Sequence, residues 1–240
     1  MNTYKRVLLK LSGEALKGDS NSILSAPCVK EVILSIVGLV KRGVEVCIVV
    51  GAGNIWRGKL AETIGIEPER ADYMGMLGTV INALALEAAL KNEGIDALAM
   101  SALEMENIVI ESYTQEKALN ELKKGKVLIF GGGTGKPFFT TDTCAALRAI
   151  ETHCDAILMA KNGVDGVYSK DPNKYEDAVF FKTLTYKELQ EKNLGVMDST
   201  AVNLLLDKEI VLRVFSMQDA SAFAKIINGE DVGTTIIKGE

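Results

Sequence analysis

Histidine is almost missing from this 240-residue chain, His153 being its single copy. A Ser-His-Asp or Cys-His nucleophile would have to be built around that one ring, and a zinc cluster could recruit no second imidazole. His153 stands in Ile150-Glu151-Thr152-His153-Cys154-Asp155. That pattern predicts a helix end before a strand, where a cation suits the helix C-terminus. Cysteine is sparse too. Cys28, Cys47, Cys144 and Cys154 form no C-x-x-C pair and read as reduced thiols of a cytoplasmic protein, not as a disulfide framework or metal site. A basic excess is missing: 27 Lys+Arg against 32 Asp+Glu give −5, so a nucleic-acid partner held by phosphate neutralisation is not expected. Long apolar runs are missing as well. The first, after Met1-Asn2-Thr3-Tyr4-Lys5-Arg6, is broken by Lys10. Neither a signal-peptide core nor a membrane span is expected. No internal repeat or low-complexity linker divides the chain.

What is present is alternation. Val7-Leu8-Leu9-Lys10-Leu11 predicts a buried strand, followed by a helix through Val29, Val32, Ile33, Ile36 and Val40 that Gly43 ends. Further strands are expected over 44–50, 97–100, 127–130, 156–159, 210–215 and 234–237. Helices are expected along Leu77 to Ala88 and over 114–124, 142–152, 186–192, 200–207 and 220–227. Strands alternating with helices predict an α/β fold: a mainly parallel central sheet sandwiched between helices, in one domain over residues 1–240. Several glycines cluster just after strands, where open α/β sheets place their ligands.

Lys10-Leu11-Ser12-Gly13-Glu14 carries a cation at a strand end and backbone N–H groups suited to an anion; a lysine closing an edge strand beside an ordinary turn reads equally well. Gly51-Ala52-Gly53-Asn54-Ile55-Trp56-Arg57-Gly58 begins like a dinucleotide fingerprint, but Trp56 stands where the third glycine belongs. A phosphate-holding turn with Arg57 as a forked donor fits better. Gly131-Gly132-Gly133-Thr134-Gly135-Lys136-Pro137 mimics a P-loop and fails it at Phe130 and Pro137. Thr140, Thr141 and Asp142 then read as the N-cap region of a helix, which can hold an anion. A fourth segment, Lys161 to Pro172, offers two turn glycines, the acids Asp165 and Asp171, and Tyr168 to pack a base; a solvated hairpin is the alternative.

Leu9 to Ala15, Gly51 to Gly58, Ala71-Asp72-Tyr73-Met74-Gly75-Met76, Thr134 to Asp142 and Val164 to Tyr168, in this order, closely resemble the bacterial UMP kinases of the amino-acid kinase family over nearly the whole length. The resemblance implies transfer of the ATP γ-phosphoryl to UMP, giving UDP in pyrimidine nucleotide biosynthesis, with Mg²⁺ brought by ATP and no metal site of the protein's own. It implies ATP contacts at Lys10, Leu11, Ser12, Gly13, Gly53, Arg57, Asn162, Tyr168 and Asp171. UMP contacts are implied at Ala52, Asp72 (on the ribose), Thr134, Gly135, Lys136, Pro137, Phe138, Phe139, Thr140 and Thr141. The N-terminal part is then mainly the acceptor site and the C-terminal part mainly the donor site. A homohexamer, inhibition by UTP and activation by GTP are implied as well.

The chemistry agrees with one histidine. A phosphate monoester has a second pKa of about 6 and is mostly dianionic at pH 7, so no general base is required. The barrier is the approach of two anions, and positioning with charge neutralisation lowers it. Lys10 and Arg57 are assigned to the transferred group, with Lys161 as a third cation; Asp142 and Asp165 orient these cations or metal-bound water. Three departures stand out. Ala52 replaces the family's usual glycine, Lys136 its usual asparagine, and Leu16 to Leu24 lacks the glycine-rich run tied to GTP activation. Rival readings are a relative phosphorylating a carboxylate or carbamate, a non-catalytic nucleotide sensor and, least supported, a nicotinamide dehydrogenase.

Overall fold

The apolar runs form the strands they predict, and the helical periodicities fold between them. In the computed structural model, residues 2–19, 21–217 and 221–239 are described. The first half contains β1 (Arg6–Leu11), α1 (Glu14–Lys17), α2 (Ala26–Lys41), β2 (Glu45–Val50), α3 (Gly58–Thr63), α4 (Pro68–Asn92), β3 (Ala97–Ser101), β4 (Glu111–Ser112) and α5 (Gln115–Lys123). Then follow β5 (Val127–Gly131), α6 (Thr141–Glu151), β6 (Ala156–Lys161), β7 (Val167–Tyr168), β8 (Phe180–Phe181), β9 (Thr183–Thr185), α7 (Tyr186–Glu191), α8 (Ser199–Leu205), β10 (Val211–Ser216), α9 (Ala222–Ile227) and β11 (Thr234–Ile237).

Nine strands form one sheet in the order β4-β3-β5-β2-β1-β6-β10-β11-β9, parallel except where β11 meets β10. The central strands are buried along almost their full length, as a parallel sheet covered on both faces requires. Alternation along β1 splits the core. Val7, Leu9 and Leu11 pack with residues of α2, α4 and α9, while Leu8 packs with residues of α5, α6, α7 and α8.

β1 is an interior strand, hydrogen-bonded to β2 on one side and β6 on the other. The edge-strand reading of Lys10 is therefore wrong. From β1 the chain builds outward through β2, then crosses to β6 on the opposite side. That reversal opens a crevice beyond the carboxyl ends of the strands, where such sheets bind ligands.

Two differences from the sequence reading have local causes. α4 starts at Pro68, nine residues before the apolar stripe at Leu77, because Glu69, Arg70 and Asp72 carry no apolar periodicity while Pro68 opens a helix well. By length and composition α4 could also cross a membrane, with a mean hydropathy of 1.4 in its most apolar window, although no such run was expected. Its buried residues instead pack into the core beside β3 and β5. Ala220, expected to begin the last helix, lies outside the described residues.

Candidate active site

Side-chain alternation aims the cations. On β1, Lys10 lies on the same face as Leu8, toward α6; on β6, Lys161 ends the row of Ile157 and Met159. Asp142, in the first turn of α6, places Oδ1 2.6 Å from Lys10 Nζ, and both side chains are mostly buried. That oxygen is buried and lacks a hydrogen bond of ordinary geometry, so the ion pair is its compensation. Lys161 donates to the Val196 carbonyl at 2.8 Å. Burial first, then the Lys10 charge, holds its pKa below the ordinary lysine value, against the pull of Asp142. Lys10, Asp142 and Lys161 thus share one electrostatic cluster at neighbouring strand ends.

The glycine loops meet beside it. A methyl group on Gly51 would lie 3.5 Å from the Gly13 nitrogen and 3.7 Å from Thr141 Oγ1. Arg57 donates to Glu14 Oε1 at 2.6 Å, and a methyl on Gly53 would lie 3.3 Å from that same oxygen. The acid joins the loop after β1, which Lys10 precedes, to the loop after β2, which carries Arg57. Ser12 caps this turn, its Oγ accepting from the Glu14 N–H at 3.3 Å. Leu11 turns its side chain into the core.

A cavity of about 300 Å³ opens next to this junction. Ala52, Gly53, Asp72, Lys136, Phe139, Thr140 and Thr141 line it, which brings together seven of the predicted positions. Thr140 caps α6, accepting from the N–H groups of Asp142 and Thr143 at 3.1 and 3.2 Å. Asp72, from the second turn of α4, accepts the Phe138 N–H at 2.7 Å. This bond anchors the third loop where Phe138 adopts a φ of +69°. Thr79, one face further along α4, accepts the Gly132 N–H at 2.8 Å. The Phe138 ring is 72% exposed and, like Thr134, Gly135 and Pro137, is not among the lining residues. Thr134 instead hydrogen-bonds the Lys136 backbone, and Gly135 backs onto the Ala102 carbonyl.

Residues 5–216 match the model of the amino acid kinase family. The uridylate kinase of Limosilactobacillus reuteri (strain DSM 20016) is 49% identical over 233 residues, 97% of each chain. The crystal structure of UMP kinase from Bacillus anthracis superposes with a TM-score of 0.95 at 40% identity, covering 99% of this chain and 97% of that one. UMP kinase from Ureaplasma parvum gives 0.92 at 36%, covering 98% and 99%. The chain belongs to the amino acid kinase family.

In this kinase a second cavity, of about 430 Å³, lies beyond β6. Lys161, Tyr168 and Asp171 line it, joined by Asn193, Leu194, Gly195 and Val196 from the turn after α7. The Tyr168 hydroxyl donates to Asp165 Oδ1 at 2.7 Å, which raises its pKa. The Asn173 backbone N–H, chiefly, holds the Asp171 carboxyl below its ordinary range. The segment does take hairpin form, β7 pairing antiparallel with β8 in a separate two-stranded sheet, and it lines the cavity at the same time. Asn162 is placed differently from Tyr168 and Asp171: it lines a cavity on the α1, α2 and α9 side, with Glu14 and Phe223.

Several site residues were not found from the sequence. Asp198 is one. It accepts from Thr140 Oγ1 in a short hydrogen bond, from Thr143 Oγ1 at 3.0 Å and from the Ala201 N–H at 3.0 Å. Burial pushes its carboxyl up, and these bonds outweigh it and hold the pKa below the ordinary value. Its visible signal, an acid just before a helix, reads only as an N-cap. Arg148 is another. It is buried under the third loop, with its guanidinium 3.7 Å from the Tyr113 ring centre and an Nη1 bond to Glu151 at 2.5 Å. Of the departures, the Ala52 methyl points at Gly78, where a side chain would come within 2.9 Å. A bare helix position therefore receives it. Lys136 is exposed at the cavity rim.

Proposed function

We propose that this chain transfers the γ-phosphoryl group of ATP to UMP, forming UDP, with UMP in the 300 Å³ cavity and ATP reaching from the Lys10–Gly13 loop toward Tyr168 and Asp171. The observation that carries this reading is the meeting of three strand-end loops at Gly51, with a lysine–aspartate pair beside it and a nucleotide-sized cavity on either side. In a protein of net charge −5, two anions can approach only where local cations outweigh the field. Lys10 and Arg57 supply that charge, and Lys161 adds a third. Asp142 and Glu14 hold the first two in fixed orientation, so little reorganisation accompanies charge development. The attacking phosphate oxygen is already ionised, so no side chain has to remove its proton. Asp72 and Thr79 set the third loop, and Asp198 sets the α6 cap against which the acceptor phosphate rests.

Mg²⁺ would arrive with ATP and would supply neutralisation of phosphate charge, with Asp142 and Asp165 the acids placed to orient it through water. With this reading we also propose a cytoplasmic reaction and a homohexamer inhibited by UTP, on the resemblance alone. Met74, Leu77 and Ile81, exposed on one face of α4, are the apolar surface such an assembly would cover. A coupled ADP-release assay tests the reading with ATP and UMP, CMP, glutamate or carbamate, repeated with GTP and UTP. Turnover with UMP above all others supports it. Turnover with a carboxylate or carbamate alone, or binding of ATP and UMP without turnover, refutes it.

A further inference from the structure

Asn82 sits on the apolar face of α4 and is fully buried. Its Nδ2 donates to the Gly51 carbonyl and to Asn54 Oδ1, both at 2.8 Å, and its Oδ1 accepts from Asn54 Nδ2 at 3.0 Å. Asn54, itself 7% exposed, also donates to the Ile23 carbonyl at 2.6 Å. A methyl on Gly13 would lie 2.3 Å from Asn54 Oδ1 and 2.6 Å from the Gly51 carbonyl, so the donor loop rests directly on this pair. Two buried amides therefore connect four segments: α4, which also carries Asp72; the loop after β2; the donor loop; and the stretch around Ile23. Buried polar groups linked this completely fix one arrangement, because any shift leaves a donor or acceptor without a partner.

We infer that Asn54 and Asn82 are positioning residues that hold the donor and acceptor loops in register for phosphoryl transfer. The inference rests on the proposed kinase reading and names residues outside its charge machinery. Neither amide carries charge, and neither side chain is among those lining the two nucleotide cavities. Their effect passes through Gly51 and Gly13. Misplacement of reacting groups by about 1 Å can cost ~10²-fold in rate, and a loosened register falls within that range.

The test compares Asn82→Leu, Asn54→Ala and the double variant with the wild-type chain. kcat is measured at saturating ATP and UMP and divided by the number of active sites, counted from UMP binding stoichiometry by calorimetry. Each single variant is expected to lose ~10- to 100-fold in kcat per site, with the ATP KM nearly unchanged and the double variant no worse than the poorer single one. A merely structural role would lower the number of sites and leave kcat per site intact, and that result overturns the inference. So do single effects that multiply in the double variant. If Asn82→Leu does not fold, Asn54→Ala, a change in a loop, decides by the same kcat per site. A wild-type chain that makes no UDP would refute the kinase reading instead, so the two failures are distinguishable.

Discussion

Gly13 offers the sharpest steric test of the crevice. Its φ and ψ of −57° and −30° are ordinary helical values, so alanine fits the backbone and any effect must come from space. The added methyl would stand 2.3 Å from Asn54 Oδ1, 2.6 Å from the Gly51 carbonyl and 2.9 Å from the Gly53 nitrogen. Two of these atoms are backbone, and the third is fixed by bonds to Asn82. Restoring ordinary contact, about 3.5 Å or slightly less, requires the donor loop to move away from the acceptor loop by about 1 Å. A displacement of that size is worth ~10²-fold in rate, or ~2.7 kcal/mol of barrier. Gly13→Ala should therefore lose ~10²-fold in kcat at saturating ATP and UMP. Gly38, in the last turn of α2 with nothing within 4 Å of an added methyl, is the matched control. There alanine should raise stability by up to ~1 kcal/mol and leave kcat alone. Steady-state kinetics and thermal melts on both variants decide, and a Gly13→Ala enzyme within about threefold of wild-type kcat would refute the packed-loop geometry, since that leaves far less than the ~10²-fold a 1 Å shift costs.

Lys10→Ala should lower kcat by at least ~10²-fold, given that an arginine placed on a transferred phosphoryl is worth ~10³–10⁵, and should weaken UMP binding much less; near-normal kcat would remove Lys10 from the mechanism. Asp72→Asn should raise the UMP KM and spare the ATP KM, because Asp72 lines the first cavity and anchors its loop at Phe138; the opposite pattern would mean the two sites are exchanged. Asp142→Asn removes the charge that supports a protonated Lys161. The lysine pKa falls further, and the alkaline loss of kcat should begin at lower pH than in the wild type; a pH–rate profile that does not move would contradict the shared cluster. The Asp198 carboxyl titrates below its ordinary 3.8 in the folded chain. Its ionised form thus contributes stability that is complete above that value and lost as pH falls through the lower folded-state pKa. The stability gap between wild type and Asp198→Ala, about 1 kcal/mol for the lost helix cap, should be constant at neutral pH and narrow in acid, as urea melts would reveal; a gap independent of pH would count against the bonds from Thr140 and Thr143.

The strands were legible because a parallel sheet buried on both faces leaves unbroken aliphatic runs, and Lys10 stood out because it breaks one. The pieces missed were those whose pattern is too short or too weak. β4, β7, β8 and β9 span two or three residues, too few to repeat a two-residue alternation. α1 and α3 are held by tertiary contact, being four and six residues long, well under the length at which a helix sustains itself. In the candidate site, sequence order pointed to loops at strand ends, which the fold brings together around Gly51, because glycines and a helix cap have local signatures. It did not reveal what fixes those loops. Thr79 and Asn82 lie on the buried stripe of α4 with Met76, Val80, Ala83 and Leu86, and a polar residue within an apolar stripe is a usable signal. Its partners, Gly132 and Gly51, lie 53 and 31 residues away, and no periodicity links them. Asp198 has the same difficulty, meeting Thr140 across 58 residues. A local pattern can name the groups proposed to touch phosphate. The groups that keep them in place satisfy a requirement of burial, that each enclosed donor and acceptor find a partner, and that requirement takes shape only once the sheet has brought its loops to one edge.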